Sequence, residues 1–268
     1  MPQIRPLDRE VYLSLLGATG LGREPVFLDT AASTNDWIAT RLAEPGAEMF
    51  VAAAEEQTAG RGRMGRQWAS WPGASLAFSL AWPLPETMKQ PGVITLAAGV
   101  ALAETVEEMA GAGPSLKYPN DLFLSGKKAA GILTEVKSGG GKRFAVIGVG
   151  VNVNATEDMF PADLRTVSTS LLIWSGRIMQ REAILAGFMN RLEPALELLA
   201  SGGMKDIMDR YRRLAGAFIG RKVRVNNSGD EIAGVAEGIA WDGALLVRLA
   251  DGRLHTAHGG EVTFREKE

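Results

Sequence analysis

The sequence predicts an α+β chain, a mixed set of strands covered by helices and followed by a small β-barrel. Three observations carry this. Apolar residues recur at helical intervals over residues 93–109, 180–200 and 204–214. Short strand-like runs alternate with those stretches through the first two thirds of the chain. From about Gly216 onward only short strands separated by turns remain, a pitch typical of a small barrel.

In order, Leu7 to Gly17 reads as a short helix with leucines on one face, a packing arm rather than a complete DNA-binding module. Val26-Phe27-Leu28-Asp29 is a strand, and Trp37 to Glu44 follows in helical pattern. Ser33, Thr34, Asn35 and Asp36 precede that helix as capping residues or as polar groups facing a ligand. Met49 to Glu56 is a buried strand leading to Gln57, and Ser75 to Trp82 alternates as another. Val93 to Met109 forms the helix expected to cover the sheet, ended by Gly111 and Gly113.

Leu116 to Glu135 reads as a hairpin turning at Ser125-Gly126. That turn pairs Phe123 with Lys128 and Asp121 with Ala130, placing Lys128 and Asp121 on one face and Lys127 on the other. Phe144 to Val153 is a strand whose interior glycines, Gly148 and Gly150, require close approach of a ligand or a neighbour. Asn152 and Asn154 serve there as ligand contacts or turn formers. Residues 155–178 are loop-rich, Gln180 to Ala200 is a helix bent or interrupted near Pro194, and Met204 to Leu214 is a second helix. The terminal strands are Val223–Val225, Ile232–Ile239, Ala244–Leu249, Leu254–Ala257 and Val262–Phe264. Their turns are Asn227 to Asp230, Trp241 to Gly243 and Ala250 to Gly252.

Composition narrows the chemistry. A net charge of −2 gives no general nucleic-acid footprint. The absence of cysteine removes disulfides, thiolate metal sites and any cysteine acyl-enzyme. Only His255 and His258 are available as imidazoles, and no Gly-x-Ser-x-Gly elbow is present. With no membrane-length apolar run and no signal-peptide layout at Met1–Arg5, a cytoplasmic location is expected.

The segment Gly60-Arg61-Gly62-Arg63-Met64-Gly65-Arg66 alternates flexible backbone with permanently charged guanidinium forks. Forks this close repel one another unless an anion lies among them. Lys117-Tyr118-Pro119-Asn120-Asp121 adds a cation and oxygen ligands. Together they suggest a site where an acid meets a nucleotide phosphate.

These segments, with Lys128-Ala129-Ala130-Gly131-Ile132-Leu133 and Gly148–Asn152, resemble the biotin–protein ligase family. The family's Lys-Trp-Pro-Asn-Asp segment carries Tyr118 here in place of tryptophan. The resemblance implies a class II aminoacyl-tRNA-synthetase-like ligase core of mixed sheet and helices over residues 26–215. An arm over 1–25 would precede it and an SH3-like barrel over 216–268 would follow. It implies formation of biotinyl-5′-AMP from biotin and ATP, with pyrophosphate released, then transfer to a lysine of a biotin carboxyl carrier protein or domain. By that resemblance Ser33, Thr34, Asn35, Gln57, Arg61, Gly62, Arg63 and Lys128 bind biotin or its adenylate. Arg66, Lys117, Asn120 and Asn152 meet ATP phosphates, and Arg61, Arg63, Lys128 and Asp121 do the catalytic work. Asp121 is also the candidate ligand for Mg²⁺. The glycine-arginine loop is expected to order over the adenylate and exclude water. No tryptophan cap for adenine is visible over Val167–Leu171. Repressor activity and DNA binding are expected to be absent, no membrane partner is expected, and a homodimer is compatible with the family. Two alternatives are a lipoate or other acyl-acid ligase of the same superfamily and a non-catalytic biotin sensor.

Overall fold

In the computed structural model, residues 5–44, 50–88, 90–111, 113–227 and 230–264 are described. A short helix α1 (Arg9–Leu15) opens the chain, capped by the Asp8 side chain, which accepts from the Glu10 and Val11 amides. Strand β1 (Pro25–Ala31) leads to α2 (Thr34–Leu42), which begins three residues earlier than its apolar pattern suggests. The reason lies outside the local sequence: the Gln57 side-chain oxygen accepts from the Thr34 amide at 2.8 Å, so a distant residue satisfies the helix start.

Next come β2 (Val51–Gln57), β3 (Ser75–Pro83) and the apolar helix α3 (Gly92–Ala110), closed by Gly111 at φ 93°. The Met49 end of the expected second strand lies outside the described residues. Strands β4 (Pro114–Lys117), β5 (Asp121–Leu124), β6 (Lys127–Gly139) and β7 (Lys142–Asn152) complete a seven-stranded sheet. Its order is β1-β2-β3-β7-β6-β5-β4, with β1 parallel to β2 and every other pair antiparallel.

The strand period of two sorts this sheet into two faces. Leu76, Phe78 and Leu80 of β3, with Ile147, Val149 and Val151 of β7, enter the main core with α1, α3 and the later helices. The opposite face carries Ser79, Gly148 and Gly150; there Ala52, Ala81, Phe144 and Val146 pack beneath α2 through Ile38 and Leu42. The glycines leave a trough on the face that α2 only partly covers.

Helix α4 (Leu171–Ser175) interrupts the loop-rich passage, with the Ser170 hydroxyl accepting from the Ile173 amide. Helix α5 (Arg181–Ala200) runs as one helix through Pro194, so the interruption expected there does not occur. Helix α6 (Met204–Leu214) matches its apolar stripe, burying Ile207, Met208, Tyr211 and Leu214.

The terminal strands are β8 (Lys222–Asn227), β9 (Asp230–Ile239), β10 (Leu245–Arg248), β11 (Leu254–Ala257) and β12 (Glu261–Phe264). They form one antiparallel sheet in the order β11-β10-β9-β8-β12. Ser228 and Gly229 of the first expected turn lie outside the described residues.

Candidate active site

The predicted hairpin contains a correction. Phe123 pairs with Lys128 as expected, and Ser125 (φ 48°) and Gly126 (φ 79°) both take the left-handed turn conformation. Asp121, however, pairs with Gly131 and not with Ala130, because the register shifts between Leu122 and Phe123. One extra residue on β6 forms a bulge. Lys128 keeps its face, and its Nζ lies 2.7 Å from Asp121 Oδ1. Lys127 instead donates to the Arg165 carbonyl. The bulge also brings Gly131 beneath the site, where an added Cβ would lie 3.3 Å from Lys128 Nζ.

One cavity gathers Ser33, Thr34, Asn35, Gln57, Arg61, Gly62, Arg63, Arg66, Lys117, Asn120, Asp121 and Lys128. Of the residues singled out from sequence, Asn152 does not line it. Asn152 is buried and its amide donates to the Thr169 carbonyl, holding residues 167–170 beside Lys128. Asn154 is likewise structural, exchanging two hydrogen bonds with the backbone of Met179.

At one end of the cavity the groups are neutral. Ser33, Thr34 and Asn35 are buried at the start of α2. The Ser79 hydroxyl lies 2.6 Å from Asn35 Oδ1 and 2.7 Å from Thr34 Oγ1, while Asn35 Nδ2 donates to Glu135. Asn35 fills the space a Gly148 side chain would need. Ser33 occupies the N-cap position without making a side-chain cap.

Beyond them the groups are cationic, with Arg61 at the junction, since it shares Glu135 with Asn35. The expected repulsion among the loop guanidinium groups is relieved within the chain. Arg61 reaches Asp36 at 2.5 Å and Glu135 at 3.2 Å. Arg63 donates to Asn120 Oδ1 at 3.3 Å and to the Gly260 carbonyl at 3.1 Å. Burial pushes the Glu135 carboxyl up, but hydrogen bonds from Asn35 and Lys137 and the charge of Arg61 outweigh it, leaving it below the usual range. Burial lowers the pKa of Lys117, partly opposed by Asp121 and reinforced by Lys128. Burial likewise lowers that of Arg63, against the pull of Tyr118 and Asp121.

The loop itself is a closed hairpin. Gly62 donates to the Arg66 carbonyl at 2.7 Å and Trp68 to that of Gly60 at 2.8 Å, with Met64 (φ 56°) and Gly65 (φ 73°) at the tip. Trp68 is a cavity residue that sequence reasoning left out. Its ring lies against Gly150, with Lys128 Nζ 5.7 Å from the ring centre, and its buried Nε1 has no protein partner. The signal was present in the glycines: Gly131 and Gly150 are open to this indole.

Magnesium finds no ready-made cage. Among the described residues no three acidic or histidine side chains cluster to hold a metal. Asp121, the candidate ligand, is already paired with Lys128. These residues do not fit a resident ion.

A mixed sheet with a glycine-floored trough, neutral donors at one end and cations at the other, defines a ligase of the acid-activating type. The Biotin/lipoate A/B protein ligase family profile matches residues 30–152, and the Biotin protein ligase C terminal domain profile matches residues 218–265. The chain is 32% identical over 99% of its length to "Bifunctional ligase/repressor BirA" of Salmonella typhimurium, covering 80% of that protein. It is 32% identical over 96% of its length to "Biotin--[acetyl-CoA-carboxylase] ligase" of Mycobacterium tuberculosis, covering 95% of it. The biotin protein ligase of Aquifex aeolicus, solved in complex with biotin and ATP, superposes with a TM-score of 0.79 at 25% identity, over 91% of this chain and 100% of that one. The chain belongs to the biotin protein ligase family.

Proposed function

We propose that this chain condenses biotin with ATP to biotinyl-5′-AMP and passes the biotinyl group to a lysine of a biotin carboxyl carrier protein or domain. The observation that carries this reading is the polarity of this cavity. Neutral hydrogen-bonding groups (Ser33, Thr34, Asn35, Gln57) face Lys117, Arg63, Arg66 and Lys128 across a floor of Gly131, Gly148 and Gly150. A polar, uncharged ring system suits the first end, and a carboxylate meeting phosphates suits the second.

In the first step a biotin carboxylate oxygen attacks the α-phosphorus, and the bond to pyrophosphate breaks. Two anions must approach, and fixed cations lower that barrier without reorganising. Lys128 is held by Asp121 at 2.7 Å, so its ammonium is placed before substrate arrives. Arg63 and Lys117 are partly desolvated, which strengthens their pull on phosphate oxygens. Magnesium arrives with ATP as part of that substrate. In the second step a neutral lysine amine of the carrier attacks the anhydride carbonyl, the carbonyl–phosphate bond breaks and AMP leaves. Asp121, paired with Lys128, is the residue we assign to orient that amine and take up its proton as the amide forms.

The test incubates purified protein with ATP, an unmodified carrier domain and either biotin or lipoate, following pyrophosphate and carrier mass. Biotin-dependent pyrophosphate release with a matching mass gain is the expected result. Lipoate-dependent transfer would reassign the acid. Biotin binding without pyrophosphate would make the chain a sensor.

A further inference from the structure

The family's tryptophan between Lys117 and Pro119 is Tyr118 here, and its hydroxyl is not idle. It donates to the Ala257 carbonyl at 3.3 Å and accepts from the Gly259 amide at 3.3 Å. The ring and the bond to Ala257 are buried, and the bond from Gly259 is partly buried. One residue further, the Gly260 carbonyl accepts from Arg63. Gly259 and Gly260 hold φ values of 107° and 88°, and a Cβ on Gly260 would lie 2.8 Å from the Asn226 carbonyl. The turn between β11 and β12 is therefore fixed in a shape that glycine alone adopts readily.

Three segments distant in sequence meet at this turn. The glycine-arginine hairpin contributes Arg63, the turn between β4 and β5 contributes Tyr118, and the terminal segment contributes residues 257–260. Asn120 closes the circle, accepting from Arg63 and donating to the Ile132 carbonyl on β6. An indole could fill the space of the Tyr118 ring, but it has no hydroxyl to both give and accept a hydrogen bond there.

We infer that Tyr118 is a positioning residue for the nucleotide half of the reaction, locking the 257–260 turn so that its carbonyl aims the Arg63 guanidinium into the cavity. The terminal sheet then acts on catalysis through one backbone carbonyl. This inference rests on the proposed ligase reading, and ATP is the substrate whose phosphates Arg63 would meet. Biotin's ring, at the Ser33–Asn35 end, is not served by this turn.

The test compares wild type, Tyr118→Phe, Gly260→Ala and the double variant in pyrophosphate release, varying ATP and biotin separately. Wild type without biotin-dependent release would defeat the ligase reading itself, before any variant is considered. With wild type active, Tyr118→Phe removes one oxygen and keeps the ring. The expected result is a KM for ATP raised about fivefold, a KM for biotin within twofold of wild type, and a melting temperature lowered by a few degrees through the two lost hydrogen bonds. Gly260→Ala should show the same ATP-selective change, and the double variant should add little to either, because both act on the Arg63 carbonyl contact. Equal rises in both KM values, fully additive effects, or a Tyr118→Phe enzyme indistinguishable from wild type would each overturn the inference.

Discussion

At the scale of single residues, the phosphate contact proposed for Lys117 would tie pH to the chemistry. Burial lowers its pKa, so it loses its proton at a lower pH than an exposed lysine, whose value lies near ~10.4. The neutral amine cannot attract phosphate, so affinity for ATP should fall on the alkaline side before the ordinary lysine range is reached. Lys117→Arg should move that fall to higher pH, measured as KM for ATP against pH. Gly150 supports a second prediction. A methyl group at Gly150→Ala would collide with the Trp68 ring and push the indole into the cavity. Overpacking of this kind costs about 1–3 kcal/mol. Calorimetry should find biotin binding weakened about tenfold or more, with the melting temperature only slightly lowered. Lys128 is legible from sequence because a two-residue turn sets the face of every residue in its hairpin. The partner of Gly150 is not legible: a strand glycine announces that something approaches, and only the folded hairpin of Gly60–Trp68 shows that it is an indole.

Among elements, α5 does more than cover the sheet. Glu193 accepts from the backbone amides of Thr19, Gly20 and Leu21, and Asn190 from those of Gly17 and Ala18. Two side chains one turn apart thus satisfy the segment that joins α1 to β1. Burial raises the Glu193 carboxyl's pKa, but the three amide donors outweigh it and the net shift is downward. A carboxyl with a depressed folded value stabilises the fold above its unfolded pKa, near 4.5, and loses that contribution as pH falls through the folded value. Glu193→Gln, which keeps an accepting oxygen but loses a largely solvent-screened charge, should cost about 0.5–1 kcal/mol at neutral pH. In denaturant titrations the difference from wild type should shrink as pH drops below that range. The apolar stripe of α6 could be read residue by residue, since packing and periodicity agree there. The early start of α2 could not, because its first amide is satisfied by Gln57, a residue 23 positions away.

For the whole molecule, a buried ion pair joins the chain's beginning to its middle. Arg181, only 4% exposed, holds Glu55 through both guanidinium nitrogens at 2.8 and 3.0 Å, and also donates to the carbonyls of Arg5 and Ser75. Glu55 in turn accepts from the Leu7 amide at 2.6 Å. Removing one member leaves a buried charge uncompensated, which costs about 3–5 kcal/mol. Glu55→Ala should therefore lower stability by that order in chemical unfolding, although neither residue lines the cavity. The pair was invisible in sequence because its partners are 126 residues apart and obey no local pattern. The order of helices and strands was readable, since each satisfies its own periodicity; what crosses between them was not.

Among the cavity-lining residues described, Met64 is the one non-glycine with positive φ, at 56°. For an L side chain that backbone shape costs about 1–2 kcal/mol. The side chain is also 61% exposed, so little packing offsets the cost. The Arg66 amide donates to the Arg63 carbonyl at 3.2 Å across Met64, so a turn bond holds the strained backbone in place. The backbone strain in this wall of the cavity is thus concentrated, among its non-glycine residues, on a single methionine.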